Sequence, residues 1–122
     1  AYLLFPSGAR GPAFLVTDNF VAIKRYNISD AYALAIAHLA DRLRGGPPFV
    51  GKWPADDVQL LRDERIRIQR ALAARGYAVD NFVGQIDFVQ RDAIRAEQAK
   101  AGLRPDGHPD AALLEWLAKP AR

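Results

Sequence analysis

The sequence contains no cysteine and no methionine among its 122 residues. Without cysteine, the chain has neither disulfides nor thiolate metal ligands, and the redox state of its compartment stays open. Long apolar runs are also missing, because none approaches the roughly 18 residues that a membrane-spanning helix needs. What remains is 50% hydrophobic and 25% charged, the balance of a globular protein. These features predict a folded chain without a transmembrane segment.

The beginning of the sequence lacks both an initiator methionine and the charged, cleavable pattern of a signal peptide. Ala1 is followed at once by the apolar run YLLFP. We therefore expect this sequence to be an internal fragment of a longer protein, with a further part upstream.

A strong excess of one charge is missing from the second half. Residues 1–54 carry six basic and three acidic side chains, whereas residues 55–122 carry eleven of each. Proteins that bind nucleic acid concentrate Lys and Arg on one face. The neutral second half therefore disfavours a nucleic-acid partner.

Signals for a metal or a cofactor are scarce. His38 and His108 are the two histidines, and no third ligand stands at metal spacing from them. The glycine pair at residues 45–46 lacks the following Lys-Ser/Thr of a phosphate loop. We expect neither a metal site nor a cofactor.

A segment rich in glycine and proline, RGGPPFVGKWPA, divides the chain. Paired glycines end a helix and paired prolines stiffen an extended connector. We predict a first module over residues 1–45, a linker over 46–55 that packs down through Phe49 and Trp53, and a second module over 56–122.

The first module is predicted to be short and mainly helical. Residues 13–16 fit either a strand or an extended packed segment. Asp18 and Asn19 are expected to cap a helix over 20–26, and Ser29 or Asn27 a second helix over 30–44. On the second helix, apolar residues recur at helical spacing and are expected to face inward. They are Ala33, Ile36, Ala37, Ala40 and Leu43.

The second module is predicted to be a compact three-helix unit. Its helices are expected over residues 56–75, 88–101 and 109–117. Asp56 and Asp57 are expected to cap the first helix, and Gly76 to end it. Asp87 and Gln90 are expected to form a capping box for the second. The fold class is therefore mainly α.

The second module resembles the small three-helix peptidoglycan-binding domain at the ends of bacterial wall enzymes. The resemblance rests on IQRALAARGY, GQI and QRDAIRAEQAKAGLRPDGHPDAALLEWL, and it spans nearly all of residues 58–118. Three positions depart from the family: Val83 replaces its usual Asp, Asp87 its usual Gly, and Glu97 the usual Phe before Gln98. We expect the loop and the helix after it to be remodelled.

The first module resembles the closing segment of the catalytic domain in membrane-bound lytic transglycosylases of the B type. It does so through GARGPAFLVTDNF at 8–20, KRYNISDAYALAIAHLADRL at 24–43 and GGP at 45–47. The resemblance implies a lysozyme-like catalytic domain. It also implies cleavage of the MurNAc–GlcNAc β-1,4 bond without water, which leaves a 1,6-anhydro ring on the muramoyl sugar.

That chemistry uses one glutamate, first as acid and then as base, in a Glu-Ser-x-Tyr-Gly-like motif. This sequence has three glutamates, Glu64, Glu97 and Glu115, none of them in such a motif. The resemblance implies that the catalytic acid lies upstream. We therefore assign no catalytic residue and predict that the chain alone is inactive. We expect Glu97 either to snorkel towards solvent or to pair with an arginine, and Tyr77 and Trp116 to belong to the core.

Four residues around the start of the second predicted helix are the candidate substrate-binding residues. From the sequence alone, Tyr32 fits a first-turn core residue and Asn27 a cap. The resemblance instead implies that Tyr26, Asn27 and Tyr32 line the glycan cleft, with Ser29 as the cap that orients them. Aromatic rings stack on sugars, and an amide can both donate to and accept from an N-acetyl group.

Two functions remain open. The first is the C-terminal portion of a lytic transglycosylase, which supplies one wall of the cleft and a wall-binding module. The second is a noncatalytic peptidoglycan-binding module that acts independently. The expected partners are glycan strands and the upstream catalytic portion, and the expected location is the bacterial periplasm or cell envelope.

Overall fold

The computed structural model describes residues 1–27, 29–55 and 59–120. The chain divides into two compact units, Ala1–Pro54 and Ala55–Arg122. The described residues form five helices and one small two-stranded sheet. The prediction of a mainly α fold is confirmed. The assignment of domains to residues 1–45 and 56–122 stays a prediction.

Unit 1 begins with an antiparallel hairpin of two short strands. β1, Tyr2–Leu4, pairs with β2, Phe14–Val16. Leu4 and Val16 lie on one face of this hairpin and are buried. The sequence left a choice between strand and extended segment for β2, and the structure shows a strand.

Helix α1, Asp18–Tyr26, begins two residues earlier than expected. Its N-cap is Thr17, whose side chain makes no capping hydrogen bond, so the predicted cap by Asp18 and Asn19 is wrong. Asp18 instead lies in the first turn, where a negative charge interacts favourably with the helix dipole. Phe20 is buried.

Helix α2, Asp30–Leu43, is capped by Ser29 as predicted. Its buried face differs from the expected one. Ala33 and Leu34 are buried, whereas Ile36 is 39% and Leu43 80% exposed. Apolar residues lie on both sides of this helix, so periodicity alone did not identify the side that packs within unit 1.

The predicted linker packs on unit 1 through aromatic rings. The Phe49 ring lies 3.8 Å from that of His38 and 5.1 Å, edge on, from that of Phe14 (centroid distances). Trp53 extends the cluster, with its ring centroid 6.1 Å from that of Phe49. Its residues up to Pro54 therefore belong to unit 1.

Unit 2 contains three helices, α3 (Arg62–Ala74), α4 (Phe88–Lys100) and α5 (Ala111–Leu117). They enclose one apolar core, to which all three helices contribute. Its buried members are Leu60, Ile68, Leu72, Ala93, Ile94, Leu113 and Leu117. The expected three-helix arrangement is confirmed.

The start of α3 is later than predicted. The expected caps, Asp56 and Asp57, lie outside the described residues, but residues 59–61 are not helical. Leu61 precedes the helix and has no polar side chain, so Glu64 accepts its backbone N–H instead, at 2.7 Å. A carboxylate in the first helical turn explains why the helix starts here. Gly76, at φ 91°, follows its end as predicted.

The predicted capping box of α4 is only half formed. Asp87 Oδ1 accepts the backbone N–H of Gln90 at 2.8 Å. The Gln90 side chain does not reach back to the cap, because it accepts a hydrogen bond from Gln69 of α3 at 2.9 Å. A tertiary contact has therefore replaced the local one.

Within the described part of the chain, no helix is long and apolar enough to cross a bilayer. The same residues contain no group of three or more His, Cys, Asp or Glu side chains placed to hold a metal ion.

Candidate functional site

The connection between α1 and α2 brings the four predicted site residues onto one exposed segment. Tyr26 ends α1 and is 90% exposed, and Asn27 follows as its C-cap. Ser29 caps α2, and Tyr32 lies in the first turn of that helix with 39% of its surface exposed. In this structure Tyr32 is thus a surface residue and not a core residue. Two aromatic rings, an amide and a hydroxyl are available on the surface of unit 1.

Hydrogen bonds within this segment fix its backbone. Ser29 Oγ accepts the N–H of Tyr32 at 3.3 Å, and Asn27 Oδ1 accepts the N–H of Ser29 at 3.0 Å. The Asn27 N–H in turn donates to the carbonyl of Ile23 at 3.3 Å. Asn27 thereby engages its side-chain oxygen and keeps its NH₂ group available to donate to a ligand.

An ion pair that the sequence analysis missed links the two helices behind this segment. Lys24 Nζ of α1 lies 2.6 Å from Asp30 Oδ1 of α2, with the two side chains 13% and 15% exposed. A partly buried pair is screened less by salt than a surface pair. It limits how far the intervening residues can move, so it supports the orientation of Tyr26 and Asn27. In the sequence, the signal for this ion pair is a lysine shortly before the break between the two helices and an aspartate shortly after it.

One side of α2 carries an exposed apolar row, which we call the α2 stripe. Its members are spaced so that they share one helical face. They are Tyr32, Ile36, Leu39 and Leu43, with exposures of 39%, 39%, 55% and 80%. A contiguous apolar row of this kind marks an interaction surface. Tyr32 joins this stripe to the α1–α2 segment.

The opposite side of α2 borders a groove of about 710 Å³, which we call the β2–α2 groove. It lies between β2, α2 and residues 46–50. Phe14, His38 and Phe49 form its aromatic part, and Asp41 and Arg44 lie at its charged end. None of the four predicted site residues lines it.

Among the described residues of unit 2, the Glu97 carboxylate accepts four side-chain hydrogen bonds, and its side chain is 1% exposed. Arg75 Nη1 and Trp116 Nε1 donate to Oε2 at 2.8 and 2.9 Å. Tyr77 OH and Lys100 Nζ donate to Oε1 at 2.8 and 3.0 Å. Of the two alternatives for Glu97, the structure shows the arginine pair. Tyr77 and Trp116 are half-buried beside the core and direct their polar atoms at this carboxylate.

Burial raises the pKa of Glu97, but hydrogen bonds from Trp116, Lys100 and Tyr77 outweigh it and lower the pKa to about 2. The hydrogen bond to Glu97 likewise raises the pKa of Lys100. A general acid at neutral pH needs a raised carboxyl pKa. The environment of Glu97 has the opposite effect, and its hydrogen bonds join the residues that follow α3 to α4 and α5.

The other two glutamates are equally poor candidates for a catalytic acid. The Glu64 carboxylate is occupied at the start of α3 by the Leu61 N–H. Glu115 lies exposed on α5.

The loop of unit 2 around Val83 is held by its backbone carbonyls. Arg62 Nε donates to the carbonyl of Val83 at 3.1 Å, and Arg65 Nε to that of Gly84 at 2.6 Å. The side chains of Phe82 and Val83 are each 43% exposed. The loop therefore has an apolar tip on an anchored backbone, and its remodelling relative to the family stays a prediction.

Comparison with known proteins gives two family matches and similar solved structures. Residues 1–41 match the transglycosylase SLT domain, and residues 62–117 match the peptidoglycan binding domain. Two crystal structures of SltB3 from Pseudomonas aeruginosa are similar, at 52% and 54% sequence identity and TM-scores of 0.73. One is in complex with NAG-anhNAM-pentapeptide and the other with NAG-NAM-pentapeptide.

These structures cover 96% and 94% of this chain, whereas the chain covers 31% of theirs. It thus spans about a third of the length of the solved chains it matches. No curated protein matches it significantly.

Proposed function

We propose that this chain is the C-terminal portion of a lytic murein transglycosylase, because residues 1–41 match the transglycosylase SLT domain and residues 62–117 match the peptidoglycan binding domain. The enzyme cleaves the MurNAc–GlcNAc β-1,4 bond and forms 1,6-anhydro products. The observation that carries the proposal is the order of the two domains, together with 52% identity to a structure that holds an anhydro-muropeptide.

Within that enzyme, the α1–α2 segment supplies one wall of the glycan cleft. The exposed rings of Tyr26 and Tyr32 stack on sugar faces, because the faces of a sugar ring are largely apolar. The free NH₂ group of Asn27 donates to an N-acetyl carbonyl. Ser29 acts as a positioning residue, since its hydroxyl fixes the start of α2.

The proton donor lies outside this chain. None of the three glutamates of the sequence has the surroundings that a catalytic acid requires. The hydrogen bonds to Glu97, for example, lower its pKa to about 2. The chain alone is therefore inactive. The upstream portion of the same enzyme packs on Ile36, Leu39 and Leu43 of the α2 stripe. Tyr32 then lies at the edge of that contact and remains open to the glycan.

The location that follows is the bacterial periplasm or cell envelope, where the substrate is found. Unit 2 holds the enzyme on the wall.

The direct experiment is a titration of the full chain with peptide-free glycan strands, followed by NMR. We expect shifts at Tyr26, Asn27 and Tyr32, and binding that weakens in Tyr26→Ala and Asn27→Ala. Val21→Ala, which truncates another exposed apolar residue of α1, is the matched control. Unchanged binding in both site variants, or release of anhydro-muropeptides from sacculi by the chain alone, contradicts the proposal.

The alternative is a peptidoglycan-binding module that acts independently of any catalytic part. It is favoured by the self-contained core of unit 2 and by the anchored apolar loop tip at Phe82 and Val83. In that case, wall binding by the full chain is lost in Phe82→Ser and is indifferent to Tyr26→Ala. The first proposal requires that Tyr26→Ala weakens binding.

A further inference from the structure

The β2–α2 groove has no role in the function proposed above, although it is the size of a site for a small ligand. We propose that it is a second binding site, which takes the peptide stem of peptidoglycan as an added β-strand. This inference rests on the proposed function for the identity of the ligand. The site itself follows from the strand edge, the aromatic rings and the charges of the groove.

The strand edge favours an extended peptide over a sugar. β2 contributes all of its residues, Phe14–Val16, to the lining of the groove. Among the described residues β2 pairs with β1 alone, which leaves its other edge without a partner strand. Free N–H and C=O groups on a strand edge bind an extended peptide by continuing the sheet. Leu15, which is 71% exposed, is at the centre of this edge.

The aromatic part of the groove provides apolar contact for the side chains of such a peptide. Phe49 is stacked on His38 and meets Phe14 edge on, so the three rings form one wall. The short apolar side chains of a stem peptide, alanines among them, fit a wall of rings better than a large side chain does.

The charged end of the groove matches the free carboxylates of a stem peptide. Arg44 Nη2 lies 3.4 Å from Asp41 Oδ1, and their side chains are 77% and 65% exposed. Such an exposed pair contributes little and separates readily. The Arg44 guanidinium is then available for a carboxylate, whereas Asp41 repels a second one and attracts an ammonium group. Residues 1–54 carry a net charge of +3, which favours an acidic ligand over a basic one.

The position on α2 allows this site to coexist with the proposed contact to the upstream portion. On α2 the groove is lined by Leu34, Ala37, His38, Ala40 and Asp41, none of which belongs to the α2 stripe. At roughly 100° per residue, all of these residues except Ala40 lie on the side of the helix away from the stripe. A partner on the stripe therefore leaves the groove open.

The test is an NMR titration of the full chain with a synthetic, sugar-free stem pentapeptide. We expect shifts at Leu15, His38 and Arg44. The C-terminal amide of the peptide should bind about tenfold more weakly, because it lacks the charge-assisted hydrogen bond to Arg44. A peptide methylated on its backbone nitrogens should bind weakly too, because it cannot continue the sheet.

Arg44→Ala should bind the free acid about tenfold more weakly and should no longer distinguish it from the amide. Lys52→Ala is the matched control, since it removes the same charge from an exposed position in unit 1 outside the groove. It should retain both the affinity and the preference for the acid.

Three results would overturn the inference. The first is the absence of shifts in the groove while peptide-free glycan still shifts Tyr26 and Asn27, a result that leaves the proposed function intact. The second is equal affinity for acid, amide and N-methylated peptide. The third is loss of peptide binding in the longer enzyme, which would mean that a segment of its own chain occupies the groove. If neither the glycan nor the peptide binds the full chain, the result contradicts the proposed function as well as this inference.

Discussion

Gln69 and Gln98 hold two different loops of unit 2 by the same arrangement of hydrogen bonds. The amide of Gln69 accepts the N–H of Gly84 at 2.8 Å and donates to the carbonyl of Gln85 at 2.9 Å. The amide of Gln98 accepts the N–H of Gly107 at 2.9 Å and donates to Asp106 and to the carbonyl of His108. Both glutamines follow an Arg-Asp pair at the same spacing in the sequence.

This pairing predicts that each glutamine protects one loop and not the other. Gln69→Leu leaves buried polar groups without partners and should lower the free energy of unfolding by about 3 kcal/mol. Hydrogen exchange should speed up at the Gly84 amide and remain slow at Gly107. Gln98→Leu should show the reverse pattern, so each variant is the control for the other. Equal acceleration at both glycines would mean that the loops are not held separately.

Replacing Gly84, whose N–H Gln69 accepts, should cost more stability than replacing Gly76 at the end of α3. Gly84 and Gly76 both have positive φ, of 84° and 91°. A Cβ at Gly84 would lie 3.0 and 3.1 Å from atoms of Arg62, whereas at Gly76 it meets nothing within 4 Å. Gly76→Ala should therefore cost about 1 kcal/mol from the left-handed backbone alone. Gly84→Ala should cost at least twice that, measured by chemical denaturation, and similar losses would contradict the crowding argument.

Glu97 should make unit 2 sensitive to acid. Its folded pKa, about 2, lies below the ordinary value of 4.5. The stabilisation is therefore complete above pH 4.5 and is lost as the pH falls towards 2. At neutral pH, Glu97→Gln should lower the free energy of unfolding by about 3 kcal/mol.

The two proteins should converge in stability as the pH falls from 4.5 to 2. Denaturation followed by near-UV circular dichroism at several pH values measures this difference. Glu115→Gln removes an exposed carboxylate from α5 and should change stability by less than about 0.5 kcal/mol. If the free energies of unfolding of wild type and Glu97→Gln differed by the same amount at all pH values, the charge of Glu97 would not be the source of the stabilisation.

The proposed contact with an upstream portion predicts that the α2 stripe controls association with it. Leu39 and Leu43 are 55% and 80% exposed, so their replacement by glutamine should leave the chain folded. In co-expression with the upstream portion, the double variant should no longer copurify with it. Val89→Gln removes an apolar side chain that is 60% exposed in unit 2 and should have no effect. Undiminished copurification of the stripe variant would place the contact elsewhere.

Sequence reasoning predicted those parts of the fold that depend on local signals. Ser29 and Asp87 were identified as caps, because short polar side chains satisfy the first N–H groups of the helix that follows. The start of α3 was missed, because Leu61 has no polar side chain and its N–H depends on Glu64. The side chain of Gln90 was misassigned for a related reason, since a partner on another helix took the place of its local one.

The candidate site was predictable only through resemblance. Periodicity on α2 is satisfied equally by the buried side at Ala33 and Leu34 and by the exposed side at Ile36 and Leu43. Choosing between them requires knowledge of what packs on each side, which a local pattern does not contain. The β2–α2 groove was not predicted either, because its lining is assembled from three segments that are separate in the sequence.

The two glutamine anchors span loops of unequal length. Gln69 lies fifteen residues before the glycine it holds, and Gln98 only nine. The same glutamine anchor thus holds loops of different lengths. The stability of the three helices therefore does not depend on the residues at the loop tip, where Phe82 and Val83 are exposed. Evolution, or a library randomised at that tip, can therefore vary what unit 2 recognises while the three helices underneath stay as they are.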